Sequence, residues 1–310
     1  MIPLEIYPSV YREFRCIGPE CRHNCCIGWE VDIDPASMKR YAAVPGAIGE
    51  EIRSSIRPGD TPCFRMRENG RCALLREDDL CQIQHYLGEK ALSGICRAHP
   101  RYRVFLPGRT EIGLGLCCEE AGRMILLSRD ALTIPGADAD CPPETRELLA
   151  VREKFLRCAR NRRYSIGRRM MQLHALARVP LNPRSRREWC AFLRSLTPLE
   201  NEWGLSLDRL EAVRPDYVNF ERRMRRRMTE YEQMLVYFLL RHLLADGGAD
   251  IPTRATFAVW SVGMLYALGA AQFTVTGEFT QADQVELCRM WSANVEYCDE
   301  NMERCFDLWR

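Results

Sequence analysis

The chain has 310 residues, of which 46% are hydrophobic and 28% are charged. This composition is typical of a globular protein with one or two domains, and it excludes a disordered, collagen-like or coiled-coil chain. The 44 basic residues nearly balance the 42 acidic ones. A net charge of +2 gives no general attraction to nucleic acid or to an anionic membrane, so we expect neither as a partner.

The N-terminal part of the sequence predicts short elements joined by loops. Residues 16–29 contain Gly, Pro and Asn at several positions and predict a loop. Asp34 followed by Pro35 is a typical helix start, and the helix is predicted to run to about Tyr41.

Further along, residues 83–87 predict a helical turn that is closed by Gly88. Two segments with strand character, residues 102–106 and 110–116, flank Pro107 and Gly108. This arrangement predicts a β-hairpin, and helical spacing follows it.

The second half of the chain predicts helices separated by breakers. Residues 135–145 are rich in Pro, Gly and Asp, so we place a linker there, between a Cys-rich region at 1–134 and a helical domain at 146–310. The longest helical stretch is predicted over residues 215–245, and the apolar segment 255–271 is interpreted as a buried core helix rather than a membrane span. The predicted fold class is mostly α: a Cys-rich metal-binding N-terminal region with short strands and a hairpin, followed by an α-helical C-terminal domain.

Sixteen cysteines are the most unusual feature of the sequence, and eleven of them lie within residues 1–141. A disulfide framework requires an oxidising compartment. The first residues have neither the basic segment nor the long apolar segment of a signal peptide, so we expect a cytoplasmic protein with reduced thiols. In that compartment, clustered cysteines indicate a metal site rather than disulfides.

The spacing of four cysteines within residues 16–26 predicts that their thiols reach one metal centre from a single loop. Cys72, Cys81, Cys96 and the pair Cys117–Cys118 follow, each near the end of a short predicted element. Spacing alone leaves an iron–sulfur cluster, a zinc ion and no metal open, since no independent second zinc knuckle is present. The remaining cysteines are interpreted as small buried hydrophobes: Cys63, Cys141, Cys158, Cys190, Cys288, Cys298 and Cys305.

Four segments of the sequence resemble the FliB-like flagellin lysine N-methylase family. They are CIGPECRHNCCIGW at 16–29, RCALLREDDLCQIQHYLGEKALSGICRAHPR at 71–101, LGLCCEEAGRMIL at 114–126 and, more weakly, WSANVEYCDEN at 291–301. The first segment is also similar to a group of small proteins described as zinc- or iron-chelating. The order and spacing of the segments are specific, although they fill only a small part of the chain.

The resemblance implies methyl transfer from S-adenosylmethionine to lysine side chains of flagellin, or of another lysine-bearing protein. It also implies a [4Fe–4S] cluster, with zinc as the alternative metal. The cysteines that match the family's motif positions are Cys16, Cys21, Cys25, Cys26, Cys72, Cys81, Cys96 and Cys117. Eight thiols exceed the four that one cubane cluster needs. A non-catalytic zinc- or iron-binding module and a redox iron–sulfur protein are the alternative functions.

The sequence departs from related patterns at two positions. Cys118 stands where the family usually has proline, which leaves Cys117 as the better ligand candidate. Gly28 stands where the C-x3-C-x2-C motif of radical S-adenosylmethionine enzymes would need its third cysteine, so the motif does not support a radical reaction.

No catalytic base follows from the sequence. A lysine amine must lose its proton before it attacks a sulfonium methyl group. Glu119, Glu296 and Tyr297 lie in or near the matching segments, but helix caps and surface pairs explain such residues equally well. Trp29 is interpreted as a core residue, with a wall of the donor site as the alternative.

Two arginine-rich runs, at 160–169 and 222–227, are interpreted as solvated helix faces. A docking face for an acidic protein and a nucleic-acid site are the alternatives. No aromatic RNA-binding motif or helix-turn-helix pattern accompanies either run.

Overall fold

The computed structural model describes residues 4–134, 141–197 and 202–310. The chain forms two compact units. The thiol unit consists of residues 15–101, and the helical unit joins the residues up to Phe14 to residues 102–310. The division therefore differs from the predicted one, because the hairpin and the helix after it group with the helical unit. Residues 135–140 of the predicted linker lie outside the described residues.

Helices dominate the fold, and most of them lie in the helical unit, which confirms the mostly α fold class. The strands are β1 (Leu4–Ile6), β2 (Ile56–Arg57), β3 (Cys63–Phe64), β4 (Arg101–Leu106) and β5 (Arg109–Leu114). The shorter helices of the first half are α1 (Pro35–Ala42), α2 (Gly46–Ser54), α3 (Gln82–Leu87), α4 (Gly94–Ala98) and α5 (Glu119–Leu126). The helices that follow are α6 (Pro143–Ala159), α7 (Ile166–Ala177), α8 (Arg186–Ser195), α9 (Glu202–Ala212), α10 (Tyr217–Met224), α11 (Met228–His242), α12 (Ile251–Thr276), α13 (Gln281–Trp291) and α14 (Asp299–Phe306).

The thiol unit has a small apolar core. Helices α1 and α2, the antiparallel pair β2–β3 and the start of α3 supply about half of it, and the loops between them supply the rest. Its fully buried members include Tyr41, Ile52, Phe64, Leu74 and Leu75. Because this core is small, the positions of the loops depend largely on backbone and side-chain hydrogen bonds.

Asp34 organises one end of this unit. As predicted, it caps α1: its Oδ1 accepts the Ser37 N–H at 2.8 Å. Its Oδ2 accepts the Gly94 N–H, also at 2.8 Å, and so ties the start of α4 to the start of α1. The Ser37 hydroxyl and the Gly94 N–H together lower the pKa of Asp34 to about 2.

Replacing this cap should destabilise the thiol unit. We expect Asp34→Ala to lower the free energy of unfolding by about 1–2 kcal/mol at neutral pH, because two backbone N–H groups lose their acceptor. The pKa of this carboxyl is lower in the folded state, so its contribution is present above about pH 4. It is lost as the pH falls towards about 2.

Urea titrations of wild type and variant at several pH values measure this difference. Asp60→Ala, at an exposed position where the described residues provide no partner, is the control and should change little. A difference between wild type and Asp34→Ala that stayed constant down to the lowest pH would contradict the assignment.

The helical unit contains a three-stranded sheet in the order β1-β5-β4. β4 and β5 form the predicted hairpin around Gly108, whose φ of +70° is in the region that glycine adopts without strain. β5 is buried along its whole length and pairs with β1 in parallel. This burial explains why the hairpin belongs to the helical unit rather than to the Cys-rich region.

The largest core lies among the long helices. α12 packs against α7, α9, α11 and α13, and the buried face of α11 extends around the whole helix from Glu230 to His242. Among the described residues, α12 alone is long and apolar enough by composition to cross a membrane, with a mean hydropathy of 1.3. A core helix passes the same test, and the packing of α12 confirms the prediction of a buried helix at residues 255–271.

The helical stretch predicted over residues 215–245 is helical from Tyr217 to His242, although it is not one continuous α-helix. The segment forms α10 and α11 with a single 3-10 turn, Arg225–Arg227, between them. Arg227 turns inward there: its guanidinium pairs with Glu230 at 2.7 Å and donates to the carbonyl of Thr280 at 2.9 Å. Both Phe220 of α10 and the residues of α11 are buried in the same core, and the turn between them is a feature that helical periodicity does not reveal.

Candidate functional site

The first two family-like segments form one centre in the thiol unit. The loop at 16–29 has little regular structure, and backbone hydrogen bonds attach it to the second segment. The Cys72 N–H donates to the Cys26 carbonyl at 2.8 Å, and the Gly28 N–H donates to the Gly70 carbonyl at 2.8 Å. These bonds bring cysteines that are far apart in sequence to one place.

Three thiols of this centre are in direct contact. Cys26 is hydrogen-bonded to both Cys25 and Cys81. As donor, the Cys26 thiol lowers the pKa of Cys25, and it lowers the pKa of Cys81 to about 6. The same two bonds raise the pKa of Cys26 itself. The arrangement favours the thiolate form of Cys81, which is the form that binds metals.

Three further cysteines lie close enough to interact electrostatically with the contacting thiols. Cys16 interacts with Cys25, while Cys72 and Cys96 interact with both Cys25 and Cys81. Burial raises the pKa of Cys96 to about 12. Six of the eight predicted ligands therefore gather in one centre: Cys16, Cys25, Cys26, Cys72, Cys81 and Cys96.

Backbone N–H groups point at several of these sulfur atoms. The Gly18 N–H donates to Cys16 Sγ at 3.4 Å, and the Leu74 N–H donates to Cys72. The N–H groups of Ile83 and Gln84 donate to Cys81, which caps α3. Such bonds stabilise thiolates and tune thiolate-bound metals.

The donor set fits a soft metal ion or an iron–sulfur cluster, since it consists of thiols with N–H groups around them. Within the residues that the structure describes, no three Cys, His, Asp or Glu side chains stand in the geometry of a formed metal site. The thiols are thus gathered without being arranged around a common point. Which of them bind a metal stays a prediction.

The other two predicted ligands lie in different units. Cys21 lies in the same loop, where its N–H donates to the Gly18 carbonyl at 3.1 Å. Cys117 belongs to the helical unit. Cys63, interpreted as a buried hydrophobe, is buried in β3.

For two residues beside the thiols the structure differs from the sequence analysis: Trp29 was interpreted as a core residue, and Asn24 was not singled out. Trp29 is 41% exposed rather than part of the core, and its indole N–H donates to the Cys25 carbonyl at 2.8 Å. Asn24 holds the loop through two bonds: its Oδ1 accepts the Cys26 N–H, and its amide donates to the Asp79 carbonyl. Only the position of Asn24 between two cysteines could have indicated this role.

Removal of a contacting thiol should lower the metal content. We expect Cys26→Ser to lose most bound metal and to unfold more readily, since structural metal binding can contribute about 10 kcal/mol or more to folding. The measurement is metal and acid-labile sulfide analysis of protein purified without oxygen.

Cys63→Ser is the matched control, because Cys63 is buried in the same unit but does not belong to the thiol group. Its metal content should equal that of the wild type. Full metal content in Cys26→Ser would remove Cys26 from the candidate ligands.

The last two family-like segments meet at a second centre, in the helical unit. A single π-helical turn, Ser292–Glu296, follows α13 and directs Glu296 into the interior. Asn301 stabilises this turn, since its amide donates to the Asn294 carbonyl at 2.7 Å. Turns of this kind are frequent at functional sites.

The Glu296 carboxylate is fully buried and has three partners on α11. It accepts hydrogen bonds from His242 Nε2 at 2.6 Å and from the Tyr237 hydroxyl at 3.1 Å, and its Oε1 lies 3.4 Å from Arg241 Nε. Burial alone would raise the pKa of Glu296, but Arg241 and His242 hold that pKa below its usual value. Burial lowers the pKa of His242, so its imidazole is neutral near pH 7.

This buried network reaches the surface through Tyr297, which is 42% exposed. The Arg241 guanidinium lies 4.7 Å from the centre of the Tyr297 ring and 5.2 Å from that of Tyr102. The Tyr297 hydroxyl is hydrogen-bonded to the Cys117 thiol, and burial raises the pKa of Cys117 to about 12. The Leu116 N–H donates to the Tyr237 hydroxyl, so the segment at 114–118 is attached to the network at two points.

Of the three acid–base candidates, Glu296 and Tyr297 belong to this network, while Glu119 lies in the first turn of α5. The sequence did not single out Tyr237, Arg241 or His242. The available signal was weak: a charged residue and a histidine inside the otherwise apolar end of α11.

Comparison with known proteins places part of this second centre, including its buried carboxylate, in a recognised domain. The sequence model of the FliB lysine N-methylase C-terminal domain matches residues 170–309, a range that includes α11, Glu296 and Tyr297. The thiol centre lies outside that range. No solved structure matches the chain.

Two relatives from Salmonella carry names that agree with this domain. The lysine-N-methylase of Salmonella typhimurium is 30% identical over 134 residues, which cover 41% of this chain and 33% of the relative. The flagellar biosynthetic protein FliU of Salmonella muenchen is 30% identical over 134 residues, which cover 79% of that protein. The chain belongs to the FliB lysine N-methylase family. The match spans only about a third of the length of the curated lysine-N-methylases.

Proposed function

We propose that this protein is an S-adenosylmethionine-dependent lysine N-methyltransferase that acts on flagellin in the cytoplasm and contains an iron–sulfur cluster. The observation that carries the methyltransferase assignment is the second centre: two family-like segments meet there, and one of them, at 291–301, lies within the domain that matches the lysine N-methylase family. The names of the relatives support a flagellar protein as substrate.

The thiol centre supports the cluster assignment. The residues that would hold the cluster are drawn from its six gathered thiols, together with Cys21 in the same loop. When bound, the cluster would supply a covalent cross-link between the loop at 16–29 and the start of α3, and a redox centre. The N–H groups around Cys81 would stabilise the thiolate form of that residue.

The reaction requires a neutral amine. Deprotonation of a free lysine at about pH 7.4 costs roughly 4 kcal/mol, which a site can supply by excluding water or by placing a positive charge nearby. The amine nitrogen then forms a bond to the methyl carbon, the carbon–sulfur bond breaks with its electron pair going to sulfur, and the amine proton passes to water.

Tyr297 is the residue of the second centre best placed to contact the acceptor. The residue is 42% exposed, and its ring lies over Arg241, which Glu296 and Tyr237 fix in position. Buried ion pairs are costly unless all their groups are satisfied. In this site the buried ion pair holds the Arg241 guanidinium beneath the Tyr297 ring. Its positive charge disfavours a second positive charge nearby. Glu296, Tyr237 and His242 act as positioning residues.

Methyl transfer tests the function directly. Purified full-length protein, kept free of oxygen, is incubated with S-adenosylmethionine labelled in the methyl group and with flagellin from the same cells. We expect label on flagellin lysines, and none on flagellin whose lysines have been chemically blocked.

Iron and sulfide near four atoms each per chain would support one cubane cluster. Zinc without sulfide would favour the metal-binding module. No methyl transfer by protein with an intact cluster, with and without a reductant, would contradict the proposal.

A more specific prediction concerns the Tyr297 hydroxyl. Tyr297→Phe keeps the ring but removes the bond to Cys117, so we expect kcat to fall by about tenfold to a hundredfold through loss of orientation. The melting temperature and the metal content should stay close to those of the wild type.

Tyr86→Phe, at an exposed tyrosine in the thiol unit, serves as the control and should retain full kcat. Wild-type kcat in Tyr297→Phe would exclude a role for the hydroxyl in the reaction.

A further inference from the structure

The second arginine run forms a surface that the proposed function does not use. Of its five arginines, Arg227 turns inward and pairs with Glu230. The other four stay exposed at the end of α10 and in the turn that follows: Arg222, Arg223, Arg225 and Arg226. The run therefore divides into one structural arginine and a group on the outside.

These exposed arginines have few hydrogen-bond acceptors or carboxylates near them among the described residues. Arg222 donates to the side chain of Asn219 at 2.8 Å. Among the described residues, Arg223, Arg225 and Arg226 have no hydrogen bond or ion pair through their side chains. Glu221 is the exposed carboxylate on the same helix, while Asp216 is engaged as the cap of α10.

Other exposed arginines of this protein find carboxylates close by. Arg57 pairs with Glu30, and Arg194 pairs with both Asp208 and Glu211. Since the chain as a whole has nearly equal numbers of basic and acidic residues, the free guanidinium groups at the end of α10 are a local concentration of positive charge.

Exposed apolar side chains accompany this charge at the start of the same helix. Val218 is 70% exposed, and Tyr217 is 45% exposed and stacks on Tyr266 with a centroid distance of 6.1 Å. Arginine and tyrosine are enriched in protein–protein interfaces, where a fixed aromatic ring adds contact area at little entropic cost. We call this the α10 surface, and its members are Tyr217, Val218, Arg222, Arg223, Arg225 and Arg226.

The composition of the α10 surface favours a protein partner over other anions. Planar guanidinium groups match carboxylates in paired hydrogen bonds. A membrane would need an apolar face along the whole helix, but Phe220 and Met224 are buried in the core. A single-stranded nucleic acid would stack its bases on aromatic rings, but one face of the Tyr217 ring already stacks on Tyr266.

We propose that the α10 surface docks an acidic segment of the protein acceptor and so holds it while a lysine is methylated. The identity of the acceptor as flagellin rests on the proposed function. The free arginines supply charge complementarity and steer the encounter, and Tyr217 and Val218 supply the apolar contact. The surface thus determines binding of the acceptor rather than the chemical step.

Charge reversal tests this assignment. The docking variant changes the three arginines without partners: Arg223→Glu, Arg225→Glu and Arg226→Glu. The scattered control makes the same change of charge at exposed positions without partners on α6 and α8: Arg146→Glu, Arg157→Glu and Arg187→Glu. A milder set, Arg223→Gln, Arg225→Gln and Arg226→Gln, is used if the reversed variant does not fold.

The readouts are the kinetic constants for flagellin and its direct binding in the absence of the methyl donor. In the docking variant we expect the KM to rise by about tenfold or more at low ionic strength, with kcat unchanged within about twofold. Salt should weaken binding by the wild type and the scattered control, and should affect the docking variant little. An unchanged KM, or an equal rise in both charge-reversed variants, would overturn the proposal.

Two further probes separate the surface from the proposed function. A short glutamate-rich peptide should bind wild type and scattered control but not the docking variant; absence of peptide binding to the wild type would overturn the surface. A DNA duplex or phosphatidylserine vesicles that bind through these arginines while the acidic peptide does not would assign the surface to another class of partner. If wild type binds the peptide yet never methylates flagellin, the proposed function fails and the surface stands.

Discussion

The burial of one carboxylate, that of Glu296, constrains much of the helical unit. A carboxylate without exposure to water is tolerated only when hydrogen bonds and an opposite charge replace its hydration. His242, Tyr237 and Arg241 provide these from one helix. The register of α11, the π-helical turn before Tyr297 and the path of the chain at Leu116 are therefore linked, because each one supplies or positions a partner of this group.

The two units hold their functional residues by different physical means. In the helical unit a large apolar core surrounds α11 and α12, so its side chains can fix a charged network without help. In the thiol unit the core is small, and the loop at 16–29 is held by individual hydrogen bonds such as those of Asn24. A bound metal would therefore contribute most to the stability of the thiol unit, where the core contributes least. Its bonds would cross-link a loop that packing alone holds only loosely.

Local sequence signals predicted the parts of the fold that depend on local chemistry. Asp34–Pro35 identified a helix start, Pro107–Gly108 a hairpin and Gly88 a helix end, because capping and turn geometry act over a few residues. The cysteine spacing likewise predicted that thiols gather, and six of the eight candidates do.

What the sequence did not reveal depends on contacts between distant segments. Arg227 is drawn inward by Glu230 and Thr280, which separates α10 from α11 where periodicity predicts one helical stretch. His242 sits in an apolar segment and becomes notable only because Glu296, far along the chain, lies 2.6 Å away. Cys117, predicted as a ligand by its motif alone, has Tyr297 as a partner, a contact that no spacing rule could indicate. The two centres therefore differ in the partners of their residues rather than in residue type. In the first, thiols are surrounded by other thiols and by backbone N–H groups, which suits metal binding. In the second, a thiol lies beside a tyrosine and a buried arginine, which suits binding of an organic substrate.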